Sequence, residues 1–345
     1  GLSWQQALSV TFYNGIVFLL ISICGVREKI IKSLPNALKI SLQCGIGLFI
    51  AFMGLQHSGI ISKNDATFVA LGNLDTPQVW LTLLGFAAMA FMIAKKVRGA
   101  IIHSILAITA IAFFVTDANG VPLAKMPEQI VSLPNSISQT FCALDFAYPF
   151  RDIRTSLPVI FTLLLLDLFD TIGTVVGVST KAKMIDEKGN IPDINKTLMS
   201  DAIATVAGAC LGTSTTTTYV ESASGIAQGG RSGLTAFTAA VCFAVALFFS
   251  PIFLAIPSAA TAPILVIVGV FMMSPIRDID FENYSEAIPA FITLIAMPLC
   301  YSISDGIMLG MISYVLINLL CCNFKKISPA AYILAAIFVA KYILL

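Results

Sequence analysis

The sequence is short of charge. Only 11% of its 345 residues are Asp, Glu, Lys or Arg, where soluble domains carry about 25%. That scarcity excludes an ordinary water-soluble globule. With 57% hydrophobic residues and a mean hydropathy of +0.91, the composition is that of a polytopic membrane protein. A formal net charge of +1 leaves no basic excess for a nucleic acid. Histidine is nearly absent, His57 and His103 being the two in the chain. There is no HExxH and no Cys/His cluster at ligand spacing, so neither a metal nor an organic cofactor is expected. The 8 cysteines sit mostly within or at the ends of apolar segments, as small hydrophobes and not as a disulfide framework. No signal peptide is expected. The chain opens on Gly1 without an initiator Met, so a fragment is expected.

What the sequence has is apolar runs. A helix needs about 20 such residues to cross the bilayer core. Candidate spans are 4–24, 36–56, 77–95, 98–116, 157–178, 198–212, 233–255, 260–274, 286–302 and 305–322, with a last apolar stretch at 328–345. Positive charge fixes their orientation. Arg27, Lys29 and Lys32 follow the first span, and Lys95, Lys96 and Arg98 follow two spans later, on the same side. Lys181, Lys183, Lys188 and Lys196 fall there too. Arg231, Arg277, Lys325 and Lys326 join them only if 213–232 crosses the membrane once. That side is read as cytoplasmic, which leaves the loop 117–156 outside.

Segment 213–232, TSTTTTYVESASGIAQGGRS, is no ordinary span. Six hydroxyl residues precede Tyr219, and β-branched threonine favours extended backbone. An extended segment followed by a half-helix starting near Val220 is expected. Such backbone survives at membrane depth only when buried in protein or lining a wet cavity, and a half-helix start offers free N–H groups and partial positive charge.

A second anomaly is LLLLDLFDTIGT at 163–174. A carboxylate in hydrocarbon costs about 2.5–3.5 kcal/mol, yet Asp167 and Asp170 both lie in this apolar run, on one helical face. Intramembrane carboxylates face cavities and mark ion or proton paths. With Glu221 they form three candidate carboxylates. A carboxylate can accept two N–H groups of a neutral nucleobase, and a buried one suits proton exchange.

A repeat is also visible. GLS (1–3), LPNALK (34–39) and CGIG (44–47) are echoed by GLT (233–235), IPSAAT (256–261) and IVGV (267–270), and in each copy 12 residues separate proline from glycine: 35 to 47, and 257 to 269. By the charge count the two copies run in opposite directions, which is an inverted repeat. About 75 residues precede the second copy's marker from span 157–178 onward, with no counterpart before Gly1. Three membrane elements are therefore expected to be missing.

LDLFDTIGTVVGV (166–178), GTSTTTTYVES (212–222), GGRSGLTA (229–236), AIPSAATAPILVIVGVFMM (255–273) and EAIPAFITLIAMPLCYSISDGIMLG (286–310) resemble the adenine/guanine/hypoxanthine permeases, the azaguanine-resistance-type branch of the nucleobase–cation symporter-2 family. The resemblance covers essentially the whole chain and is strongest over 157–322. It implies an all-α fold of two inverted seven-helix repeats, with core and gate domains and a short strand plus half-helix at the purine site. Residues 1–116 would be the fourth to seventh helices, 117–156 an extracellular connector, 157–322 the eighth to fourteenth helices with the half-helix near 220–230, and 323–345 a C-terminal apolar segment. The resemblance implies that Asp170 and Glu221 contact the base, with Thr216, Thr217, Thr218 and Tyr219 leading into the site and Ser222 beside it. It further implies proton symport through Glu221, Asp170 or Asp167, a plasma-membrane location and a homodimer. Two other readings remain open: an anion or other small-solute transporter of the same fold, and an intramembrane aspartyl protease. The protease would need a GxGD motif, and SDG at 304–306 is not one. An anion carrier would not aim carboxylates at its ligand.

Overall fold

In the computed structural model of the chain, the described residues are 2–25, 35–117, 120–134, 136–182, 184, 191, 193–219, 222–227 and 229–344. Arg27, Lys29, Lys32, Lys183, Lys188, Val220 and Glu221 lie outside them. Helices dominate. They are α1 (Trp4–Ile23), α2 (Asn36–His57), α3 (Pro77–Ala94), α4 (Ala100–Ala112), α5 (Tyr148–Arg151), α6 (Ile153–Lys181), α7 (Ile194–Leu211), α8 (Ser222–Ala227), α9 (Gly233–Phe248), α10 (Ser250–Leu254), α11 (Ser258–Met272), α12 (Tyr284–Leu299), α13 (Ile303–Leu320) and α14 (Pro329–Leu344). Short 3₁₀ turns lie at Ser274–Asp278 and Phe324–Lys326.

Among the described residues, 5 helical stretches are long and apolar enough to cross a membrane: Trp4–Ile23, Asn36–His57, Pro77–Ala94, Ser258–Asp278 and Ile303–Leu320. Their ends follow from local chemistry. Ser3 and Gln6 cap α1 reciprocally. Thr76 caps α3, whose first residue is Pro77, where the missing N–H costs nothing. One element escaped the sequence reading. Ile61–Asn64 (β1) and Phe68–Leu71 (β2) pair antiparallel, Ile61 opposite Leu71. The Asn64 side chain accepts from the N–H groups of Ala66 and Thr67 and so shapes the turn. Strands of 4 residues leave too short a pattern to detect.

The chain divides into two compact units. One comprises residues 1–45, 136–231 and 275–345. Within it α1 packs along α7 and α6, and its buried positions Leu8, Thr11, Gly15, Phe18 and Ser22 follow helical spacing. Gly15 permits the approach: a Cβ there would lie 2.7 Å from Val206 Cγ2. In the same unit α12 pairs with α13, and α13 with both α14 and α6.

The other unit comprises residues 46–135 and 232–274. Its core joins Leu81 of α3, Ile108 and Ala112 of α4, Ala124, and Ala259 and Ala260 of α11. α9 belongs to this unit and buries none of its residues.

Candidate functional site

The first unit contains the anomalous carboxylates. Asp167 on α6 is 0% exposed. Thr171 and Thr174, one and two turns on, are buried along the same face. Asn14 of α1 reaches this carboxylate from the side, its Nδ2 donating to Asp167 Oδ2 at 2.5 Å. From α7 comes a second buried acid, Asp201, whose Oδ2 accepts from Thr171 Oγ1 at 2.7 Å. Asp170 is half-buried, and both it and Asp201 lie within electrostatic range of Asp167. Three acids and one amide from three helices thus share one polar seam.

Residues 213–219 form neither helix nor strand, with a bend at Ser214. No strand pairs with them among the described residues; they lie along α7 instead. Thr205 Oγ1 donates to the Thr216 carbonyl at 3.0 Å, which satisfies a backbone group that no ladder serves. Gly208 makes room, since a Cβ there would sit 2.6 Å from Thr216 Oγ1. Thr215 lies beside Asp167. Thr216, Thr217 and Thr218 face Lys196, Thr197, Ser200, Asp201 and Ala204 across a cavity of about 450 Å³. Lys196 stands exposed at its edge and meets Asp193 at 2.8 Å, a hydrogen bond that raises its ammonium above the usual lysine range.

Among the described residues, four buried polar atoms in this region find no hydrogen-bond partner: Asn14 Oδ1, Asp167 Oδ1, Thr174 Oγ1 and Thr218 Oγ1. Buried polar groups are nearly always paired, so this seam has unused bonding capacity. Among the described residues no cluster of three or more His, Cys, Asp or Glu could hold a metal ion.

The path of 213–231 is fixed at both ends. At one end Cys142 N–H donates to Cys210 O at 2.7 Å, tying the end of α7 to the long loop. At the other, Arg231 Nη1 donates to Ala182 O at 2.6 Å, just past the end of α6.

Of the expected site residues, Asp167, Thr217 and Thr218 border the seam or the cavity, with Asp170 beside them. Tyr219 is 66% exposed and Ser222 is exposed at the first turn of α8, which packs on α6. Glu221 lies outside the described residues. Sequence reading missed Asn14 and Asp201. Each is a polar residue inside an apolar span, and that signal alone flags function at membrane depth.

The chain matches the permease family over residues 1–309. It is 41% identical to a putative permease of Methanocaldococcus jannaschii over 344 residues, covering 100% of this chain and 77% of that protein. A guanine/hypoxanthine permease of Bacillus subtilis is 40% identical over 343 residues, covering 99% and 76%. An adenine permease of Escherichia coli is 37% identical over 345 residues, covering 99% and 75%. Among solved structures, the transmembrane domain of a cyanobacterial bicarbonate transporter superposes with a TM-score of 0.64 at 15% identity, covering 89% of this chain and 76% of that one. At that identity the likeness speaks for the fold alone.

Proposed function

The chain belongs to the nucleobase–cation symporter-2 permease family, and from that premise we propose that it carries purine nucleobases across the plasma membrane by proton symport. It is a multi-pass membrane transporter and not an enzyme. The observation that carries the site is the buried seam of Asn14, Asp167, Thr171 and Asp201 beside the non-helical segment 213–219 and a cavity.

A purine presents N–H donors in the ring plane. Asp170 and Glu221 are the groups proposed to accept them, with Thr217, Thr218, Tyr219 and Ser222 framing the base. A carboxylate at this depth accepts charge-assisted bonds that exceed neutral ones in strength. Asp167, held by Asn14, is kept apart as a proton-handling group together with Glu221 and Asp170. Proton binding removes a buried negative charge, and so lowers the cost of moving the loaded site through a low-dielectric core. The bicarbonate transporter shares the fold, but acidic side chains repel an anion, which favours a neutral, N–H-rich solute here.

Two inverted seven-helix repeats, with core and gate domains alternating access, are the proposed architecture. Support comes from contacts that exchange under the repeat. Gly47 and Gly269 are equivalent positions, and they meet: a Cβ on Gly269 would lie 2.5 Å from Gly47 O, and one on Gly47 2.9 Å from Gly269 O. Equivalent positions touch where a pseudo-two-fold axis passes. Gly45 of α2 rests on Met297 and Thr293 of α12, while Gly85 of α3 rests on Pro263 of α11. The first contact joins the partners of the second with the copies exchanged. A homodimer is the proposed assembly.

Uptake of labelled hypoxanthine, adenine and uracil by a host lacking nucleobase permeases tests this reading. The full open reading frame is expressed, with Glu221→Gln alongside. Purine uptake that rises at acid external pH and disappears in Glu221→Gln is expected. A membrane-inserted protein that takes up no purine would sink the assignment.

A further inference from the structure

We propose that Cys142 and Cys210 form a reversible disulfide on the outer face, pinning the long loop to the end of α7. The proposal rests on the membrane orientation given by the charges and not on the identity of the solute. The two cysteines come from different elements. The Cys142 N–H donates to the Cys210 carbonyl at 2.7 Å. With standard backbone dimensions, a bond of this length holds the two Cα atoms no more than about 6.6 Å apart, within the upper limit of about 6.8 Å that a disulfide spans. The two thiols are close enough to influence one another electrostatically.

The surroundings hold this pair in register. Thr140 Oγ1 donates to Leu211 O at 3.3 Å. Gly212 admits Thr140, whose Cβ would be 2.4 Å from a side chain there. Cys142 itself has a φ of 52°, a left-handed conformation that few residues other than glycine adopt. It is exposed, while Cys210 is half-buried. An attacking thiol in the open with a sheltered partner beside it is the arrangement that thiol–disulfide exchange needs.

The chemistry balances with an external low-molecular-weight disulfide as oxidant. The Cys142 thiolate attacks it, forms a mixed disulfide and releases one small thiol. The Cys210 thiolate then displaces the second. The two protein thiols lose two protons and two electrons, and the small disulfide is reduced to two thiols. The bridge would close just ahead of Thr213, where the non-helical segment begins.

The test uses the full open reading frame in cell membranes. Intact cells are treated with oxidised glutathione, free thiols are blocked with N-ethylmaleimide, and the protein is then reduced and labelled with a mass-adding maleimide. Wild type is expected to gain two labels that Cys142→Ser and Cys210→Ser both lack, with a linked Cys142–Cys210 peptide in the unreduced digest. Reduction should also lower the melting temperature of the oxidised wild type and leave both variants unmoved. Wild type that gains no more labels than the variants overturns the proposal. So does a Cys142 that a membrane-impermeant maleimide reaches only after the cells are opened. Solute uptake is not read, so failure of the purine assignment leaves either result standing.

Discussion

Two buried acids on different helices, Asp167 on α6 and Asp201 on α7, are explained by their neighbours. Asp167 is tolerable in a low-dielectric setting because Asn14 donates to one oxygen, and Asp201 because Thr171 does the same. Removing the donor takes one hydrogen bond from a buried carboxylate, at about 1–3 kcal/mol. Asn14→Leu is therefore expected to lower the melting temperature of the detergent-solubilised protein and to cut uptake at least tenfold. Asn14→Asp should do worse, because it sets a fourth acid against Asp167. Thr171→Val removes the hydroxyl bond to Asp201 and should destabilise, while Thr171→Ser keeps the hydroxyl and stays near wild type. Thermal melts of the four variants decide between these outcomes. Asn14 and Asp201 were illegible as partners because they come from α1 and α7, distant in sequence from α6. A single chain shows that each is polar in an apolar run, but not what it faces.

At the scale of elements, backbone approach is the recurring device. Gly208 lets the non-helical segment lie on α7, and Gly47 lets α2 meet α11. At Gly208 a side chain would meet Thr216 Oγ1 at 2.6 Å and Thr213 Cγ2 at 3.1 Å. Gly208→Val must push that segment away from Thr205, and overpacking of this kind costs about 1–3 kcal/mol. Uptake is expected to fall about tenfold or more with surface expression retained, and a radiolabelled purine assay beside a membrane blot checks both. Gly47→Leu meets backbone at Gly269 and Met272 Cβ at 2.7 Å, neither able to swing aside, so expression and melting temperature should both fall. The long helices were legible because an apolar run of bilayer length has few alternatives. That 213–219 breaks the run of helices was legible from its β-branched, hydroxyl-rich composition. The hairpin at 61–71 was not, because its pairing depends on an Asn64 side-chain turn instead of periodic hydrophobicity.

At the scale of the molecule, the direction of each crossing can be tested without transport. With α2 leading outward and α3 returning, Asp65→Cys at the hairpin tip should react with an impermeant maleimide in intact cells. Lys326→Cys should react only after permeabilisation, and the reverse pattern would overturn the orientation. The cavity beside Thr216–Thr218 has a further consequence. A space of about 450 Å³ lined by hydroxyls, Asp201 and Lys196 has room for on the order of ten waters. Any shape of the protein that closes this space must return that water to bulk. The cycle then does work against water activity. An inert osmolyte too large to enter the cavity should bias the population toward the closed shape, so the turnover rate becomes a function of osmotic pressure as well as of the solute gradient.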